Sequence, residues 1–104
     1  MGDHRTHLEI IADMLSVING RAKKTHIMYQ ANLSYLLLQK YLTKIKEAYL
    51  CRFEQGDNCY VLTPRGEEFL GEYRKYVKMN NNVEKWIQDA DDHKKALEEF
   101  LSTQ

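Results

Sequence analysis

The chain has little of what marks a membrane, secreted or fibrous protein. No apolar run exceeds four residues, as in Tyr35-Leu36-Leu37-Leu38, whereas a bilayer-crossing helix needs roughly 20. Two cysteines, Cys51 and Cys59, are too few for a disulfide framework and fit a reducing compartment. The first residues turn polar at once (Asp3, His4, Arg5, Thr6) and lack the apolar core of a secretory signal. A cytoplasmic protein is therefore expected. Gly2 and Thr6 meet the short M-G-x-x-x-T acylation pattern, but the flanking charges and the weak hold of a single acyl chain weigh against a membrane anchor. An excess of one charge is also lacking: fifteen Lys and Arg balance fifteen Asp and Glu. That argues against a protein that coats nucleic acid by bulk positive charge, so any nucleic-acid site has to be a local patch. What remains, 43% hydrophobic and 29% charged residues over 104 positions, is the composition of one globular domain, or of one domain with an arm.

Catalytic and metal-binding patterns are missing as well. No nucleophile stands with a base in a motif, no glycine-rich loop follows a strand, and the paired acids Glu67-Glu68 and Asp91-Asp92 fall on helical stretches. No enzyme is expected. Zinc sites announce themselves by pairs such as C-x2-C, and none occurs among Cys51, Cys59, His4, His7, His26 and His93. The cysteines read as small buried apolar residues and the histidines as surface groups. The sequence implies neither a metal nor a cofactor.

What is present is periodic. From Thr6 to Asn19, Leu8, Ile11, Leu15 and Ile18 recur at helical spacing beside Ala12 and Met14, and Asn19-Gly20 closes the helix. The basic stretch Arg21-Ala22-Lys23-Lys24 follows. Thr25 offers an N-cap for a short helix over His26 to Gln30, and a turn is expected at Asn32. Ser34 to Ala48 is the strongest helical segment of this half: Leu38, Leu42 and Ile45 share one face, and Leu37, Lys40, Thr43, Lys44 and Glu47 lie largely on another. The period then becomes that of strands. Leu50 to Glu54 and Cys59 to Leu62 flank the turn-rich Gln55-Gly56-Asp57-Asn58, which predicts a β-hairpin. Thr63-Pro64 restarts a helix, because Thr caps and Pro at the first helical position forfeits no hydrogen bond.

Pro64 is the one proline, and no glycine follows Gly71. A helix from there to the end, about 38 residues and roughly 57 Å long, needs a partner. Phe69, Tyr73, Tyr76, Asn80, Val83, Ile87, Ala90, Lys94, Leu97 and Leu101 alternate at spacings of four and three without a slip, which is a heptad seam. A parallel dimer would set Lys94 against Lys94 in a desolvated layer. An antiparallel one pairs Phe69 with Leu101, Tyr73 with Leu97, Tyr76 with Lys94, Asn80 with Ala90 and Val83 with Ile87, leaving the Lys94 ammonium at the rim. An antiparallel homodimer is thus the expectation, as a rod with a head at each end.

Helix, short helix, basic-faced helix, hairpin and capped helix is the order of a winged helix-turn-helix domain, whose third helix enters the DNA major groove and whose hairpin is the wing. The fold class expected is α+β, mostly α, with residues 1–68 as the winged domain and 69–104 as the dimerisation helix. Lys24 to Ile45, and within it Ile27 to Tyr35 and Gln39 to Tyr41, resembles the archaeal winged-helix DNA-binding proteins that dimerise through a C-terminal antiparallel coiled coil. Leu62-Thr63-Pro64-Arg65-Gly66-Glu67-Glu68 looks like the wing-to-helix exit of such domains. The resemblance runs by residues from about Leu8 to Leu70 and by architecture beyond. It implies a double-stranded DNA partner, a homodimer, and a place with the nucleoid.

The charges agree with that implication. Between Arg21 and Arg52 stand seven cations (Arg21, Lys23, Lys24, Lys40, Lys44, Lys46, Arg52) against Glu47 alone, a local excess of six in a neutral chain. The residues expected at DNA are Lys23, Lys24, Asn32, Ser34, Tyr35, Gln39, Lys40, Thr43, Lys44, Arg52 and Arg65. Gln39 and Asn32 have the groups to read adenine, and Lys40 or Lys44 to contact guanine or phosphate. Neutrality favours regulation of particular promoters over general chromosome coating. The competing expectation is a winged-helix module that docks a protein partner instead of DNA.

Overall fold

The computed structural model describes residues 4–102, so Gly2 of the acylation pattern lies outside them. The described elements are α1 (His7–Ile18), β1 (Arg21–Ala22), α2 (Lys24–Gln30), α3 (Tyr35–Glu47), β2 (Cys51–Glu54), β3 (Cys59–Leu62) and α4 (Pro64–Ser102). The chain is mostly helical with a small antiparallel sheet, a winged helix-turn-helix followed by a long C-terminal helix, as the pattern implied. These residues divide into two compact units after Tyr73, so the first turns of α4 belong to the winged unit.

Local signals account for most of the boundaries. The Thr6 hydroxyl accepts from the Glu9 N–H at 3.2 Å and starts α1. Asn19, at φ 20, and Gly20, at φ 105, end it. Leu8, expected on the buried face, is 37% exposed. The buried arc instead extends to the other side of Ile11 and takes in Ile10 and Met14. Met14, Leu15 and Ile18 of α1 meet Ile27 of α2 and Leu38 and Ile45 of α3, all fully buried, in one core.

Two expectations are corrected at the start of α2. The helix begins at Lys24, and Lys23 rather than Thr25 occupies the cap position, with no side-chain cap bond. The residues before it, Arg21 and Ala22, form a strand. Pairing of Arg21 with Val61 and Ala22 with Tyr60 makes a three-stranded sheet in the order β1-β3-β2. A two-residue strand carries no periodicity of its own. Its hydrogen bonds come from β3, which is distant in sequence.

The turn between α2 and α3 sits at Asn32, whose φ of 55 is a left-handed value that Asn tolerates. Arg5 holds that turn from outside: its guanidinium donates to the Ala31 carbonyl at 2.8 Å and to the Asn32 carbonyl at 3.0 Å, and pairs with Asp13 at 2.7 Å. Ser34 caps α3, its hydroxyl accepting from the Leu37 N–H at 3.2 Å. At the far end the Tyr49 N–H donates to Lys46 and the Leu50 N–H to Ile45, the Schellman arrangement that needs a left-handed residue, here Tyr49 at φ 61.

The hairpin pairs Cys51 with Leu62 and Glu54 with Cys59, and stacks Phe53 beside Tyr60 with ring centroids 5.0 Å apart. Thr63 then starts α4. Its hydroxyl accepts from the Gly66 N–H at 3.0 Å and donates to the Tyr49 carbonyl at 2.6 Å, so one side chain caps α4 and fastens it to the end of α3.

Candidate nucleic-acid interface

α3 buries Leu38, Tyr41, Leu42 and Ile45 and presents the opposite face to solvent. On that exposed face lie Tyr35, Leu36, Gln39, Lys40, Thr43 and Lys44. They form one stripe because positions three and four apart share a helix face. Several are held in place: Gln39 Nε2 donates to the Tyr35 hydroxyl at 3.0 Å, and the Thr43 hydroxyl donates to the Gln39 carbonyl at 2.9 Å. The Lys24 ammonium stands 5.1 Å from the centroid of the Tyr35 ring, a cation–π contact that brings the start of α2 to the start of α3. Lys40 and Lys44 flank the buried Tyr41 ring at 5.5 and 6.0 Å from its centroid. Lys24, Lys40 and Lys44 therefore stand around one end and one face of α3, with Lys23 next to Lys24 at the start of α2.

Other expected residues are committed to the fold. The Ser34 hydroxyl is engaged as the α3 cap, and Asn32 supplies the left-handed turn. Arg65 Nε donates to the Ala48 carbonyl at 2.9 Å, joining the first turn of α4 to the C-terminus of α3. The wing changes the charge count most. Glu54 is paired with Arg52 at 3.3 Å and with Arg21 at 3.2 Å, and Asp57 is paired with Arg21 as well. Asp57 foremost, then Glu54, raises the Arg21 pKa further above its usual value. The excess of six stopped at Arg52, and folding returns the next two acids to its two arginines. Free positive charge is thereby concentrated on the lysines of α2 and α3.

Glu54, Asp57 and Cys59 are the one set of three possible metal ligands that comes together among the described residues, and it contains no histidine. Its carboxylates already hold Arg21. Cys51 and Cys59 are both buried and free. Burial pushes the Cys51 thiol up to about 11, against a weak opposing pull from Lys46.

Leu36 was not singled out by sequence reasoning, yet it is 81% exposed in the middle of the polar stripe. The signal was present: three consecutive leucines span about 200° of a helix at 100° per residue, so Leu36, Leu37 and Leu38 cannot all face one core. Among the seam residues, Phe69 and Tyr73 are half-buried against the core of the winged unit, whereas Tyr76, Val83, Ile87, Leu97 and Leu101 are exposed.

A winged helix-turn-helix family model matches residues 4–81, more than half of the chain, and the chain belongs to that family. Among solved structures it is similar to Sso10a-2, described as a DNA-binding protein from Sulfolobus solfataricus. The TM-score is 0.72 at 22% identity, over 96% of this chain and 100% of that one, and the likeness is one of fold. No protein of curated function matches the chain. No described helix is long and apolar enough to cross a membrane.

Proposed function

We propose that the chain binds double-stranded DNA, with α3 as the recognition helix in the major groove and Lys23 and Lys24 at phosphates. The observation that carries this reading is the exposed stripe Tyr35, Leu36, Gln39, Lys40, Thr43 and Lys44, with Lys24 held beside Tyr35 at its N-terminal end. Recognition helices use their N-terminal residues on base edges, and Gln39 and Lys40 carry the groups that read adenine and guanine there. The similarity in fold to a protein described as DNA-binding supports the same reading. Neutral overall charge together with a confined basic patch favours specific or semi-specific binding, hence a transcriptional regulator or local chromosome organiser associated with the nucleoid. We also propose an antiparallel homodimer formed through α4, because an exposed heptad seam is unfavourable in water without a partner.

Salt-titrated fluorescence anisotropy on a DNA duplex tests the first part. Affinity should fall steeply as salt rises, through counterion release. A chain with no measurable affinity at low salt would sink the reading and favour the protein-docking alternative, which the charge-balanced wing of Arg21, Arg52, Glu54 and Asp57 suits.

A further inference from the structure

We propose that α4 carries a second association surface, and that two antiparallel dimers join through it into a bundle of four helices. This rests on the homodimer reading above. Beside the seam runs another stripe of the same seven-residue period, Met79, Trp86, His93 and Phe100. Its three apolar members are each at least 70% exposed. Together with Tyr76, Val83, Ala90 and Leu97 these residues form a second sequence of alternating threes and fours, sharing one line of residues with the first seam. The apolar face is therefore about three positions wide in every seven. A two-stranded coil needs only two, and the wider face belongs to helices that line the core of a bundle.

The opposite flank of the seam is different in kind. It runs from a half-buried Val77 into Glu84, Asp91 and Glu98, so over those last three repeats only one side of the dimer is apolar. In the antiparallel register that sets Phe69 against Leu101, Trp86 falls beside the two-fold axis next to its own copy, and Met79 falls beside the second copy's His93. The stripes of both helices then lie on the same side of the pair and are self-complementary, which is what an isologous contact between identical dimers requires. Tryptophan and phenylalanine bury about 150–250 Å² each. The two from each of four helices would cover on the order of 1,200–2,000 Å², the size of a stable specific interface.

Sedimentation equilibrium of the full chain, from low to high micromolar concentration, tests this. A tetramer that dissociates to dimers on dilution is expected, with emission from Trp86, the only tryptophan, moving to longer wavelength as it does so. The double substitution Trp86→Gln with Phe100→Gln should leave helix content and the dimer intact and raise the concentration for tetramer formation on the order of a hundredfold. A wild-type chain that stops at the dimer overturns the second surface and leaves the homodimer standing. A chain that stays monomeric overturns both. A double variant that still forms tetramers at the wild-type concentration places the contact elsewhere and also overturns the proposal.

Discussion

Gly66 lies so close to Leu50 that a Cβ built on it would stand 2.2 Å from the Leu50 carbonyl oxygen. The same atom would stand 2.6 Å from the Leu62 side chain. A glycine in the first turn of α4 is thus what lets the helix leave the wing against the strand that follows α3. Gly66→Ala forces backbone apart rather than a flexible side chain, and should destabilise the winged unit by about 1–3 kcal/mol. Urea denaturation measures the loss, and a stability equal to wild type would show that the close approach is not required.

Tyr49 is the reverse case. An exposed tyrosine holds a left-handed backbone, φ 61, at the end of α3, a conformation that costs a residue with a Cβ about 1–2 kcal/mol. Tyr49→Gly should therefore stabilise the fold by up to about 1 kcal/mol, reduced by the greater freedom of glycine in the unfolded chain. Thermal denaturation reads the sign directly.

The buried Cys51 thiol makes stability depend on alkaline pH. Its folded pKa, about 11, is raised above the ordinary value of 9.0. The stabilising contribution is complete below about pH 9, where folded and unfolded thiols are both neutral. It is lost as pH rises towards 11, because the unfolded chain ionises first. The loss attributable to this group is on the order of 2 kcal/mol, and Cys51→Ala should flatten that part of the profile relative to wild type in denaturation series from pH 8 to 11.

Residues of the stripe can be sorted by salt and by sequence. Lys23→Ala and Lys24→Ala should weaken binding to all duplexes alike and flatten the salt slope by about one for each phosphate no longer neutralised. Gln39→Ala and Lys40→Ala should cost about 1–3 kcal/mol on a preferred site and less on random DNA. Equal effects on both would make Gln39 and Lys40 backbone-binding residues. Asp57→Asn, which removes a charge held by Arg21, should steepen the salt slope by about one if the wing reaches the duplex.

Leu36 gives the most specific test of recognition. An exposed leucine on the polar face of α3 suits the 5-methyl group of thymine. Replacing thymine by uracil in a preferred site removes that methyl and should cost the wild type up to about 1 kcal/mol per methyl group. Leu36→Ala should bind both duplexes equally. A wild type indifferent to the replacement would remove Leu36 from the readout.

The sequence by itself determined the elements whose signals are local. The Asn19-Gly20 stop, the hairpin around Gly56, the Thr63-Pro64 start and the heptad repeat of α4 each depend on neighbours within a turn or two, so spacing and residue type sufficed. Tertiary structure decided what depends on partners far along the chain. Arg21-Ala22 is a strand because β3 supplies its hydrogen bonds. Arg21 and Arg52 are neutralised because the hairpin folds Glu54 and Asp57 back onto them. Arg65 is drawn to the end of α3, and Phe69 and Tyr73 are drawn into the winged core. Composition counts charges and periodicity orders apolar residues, but only the folded chain brings a guanidinium within reach of a distant carboxylate, and that proximity decides which cations remain for a phosphate.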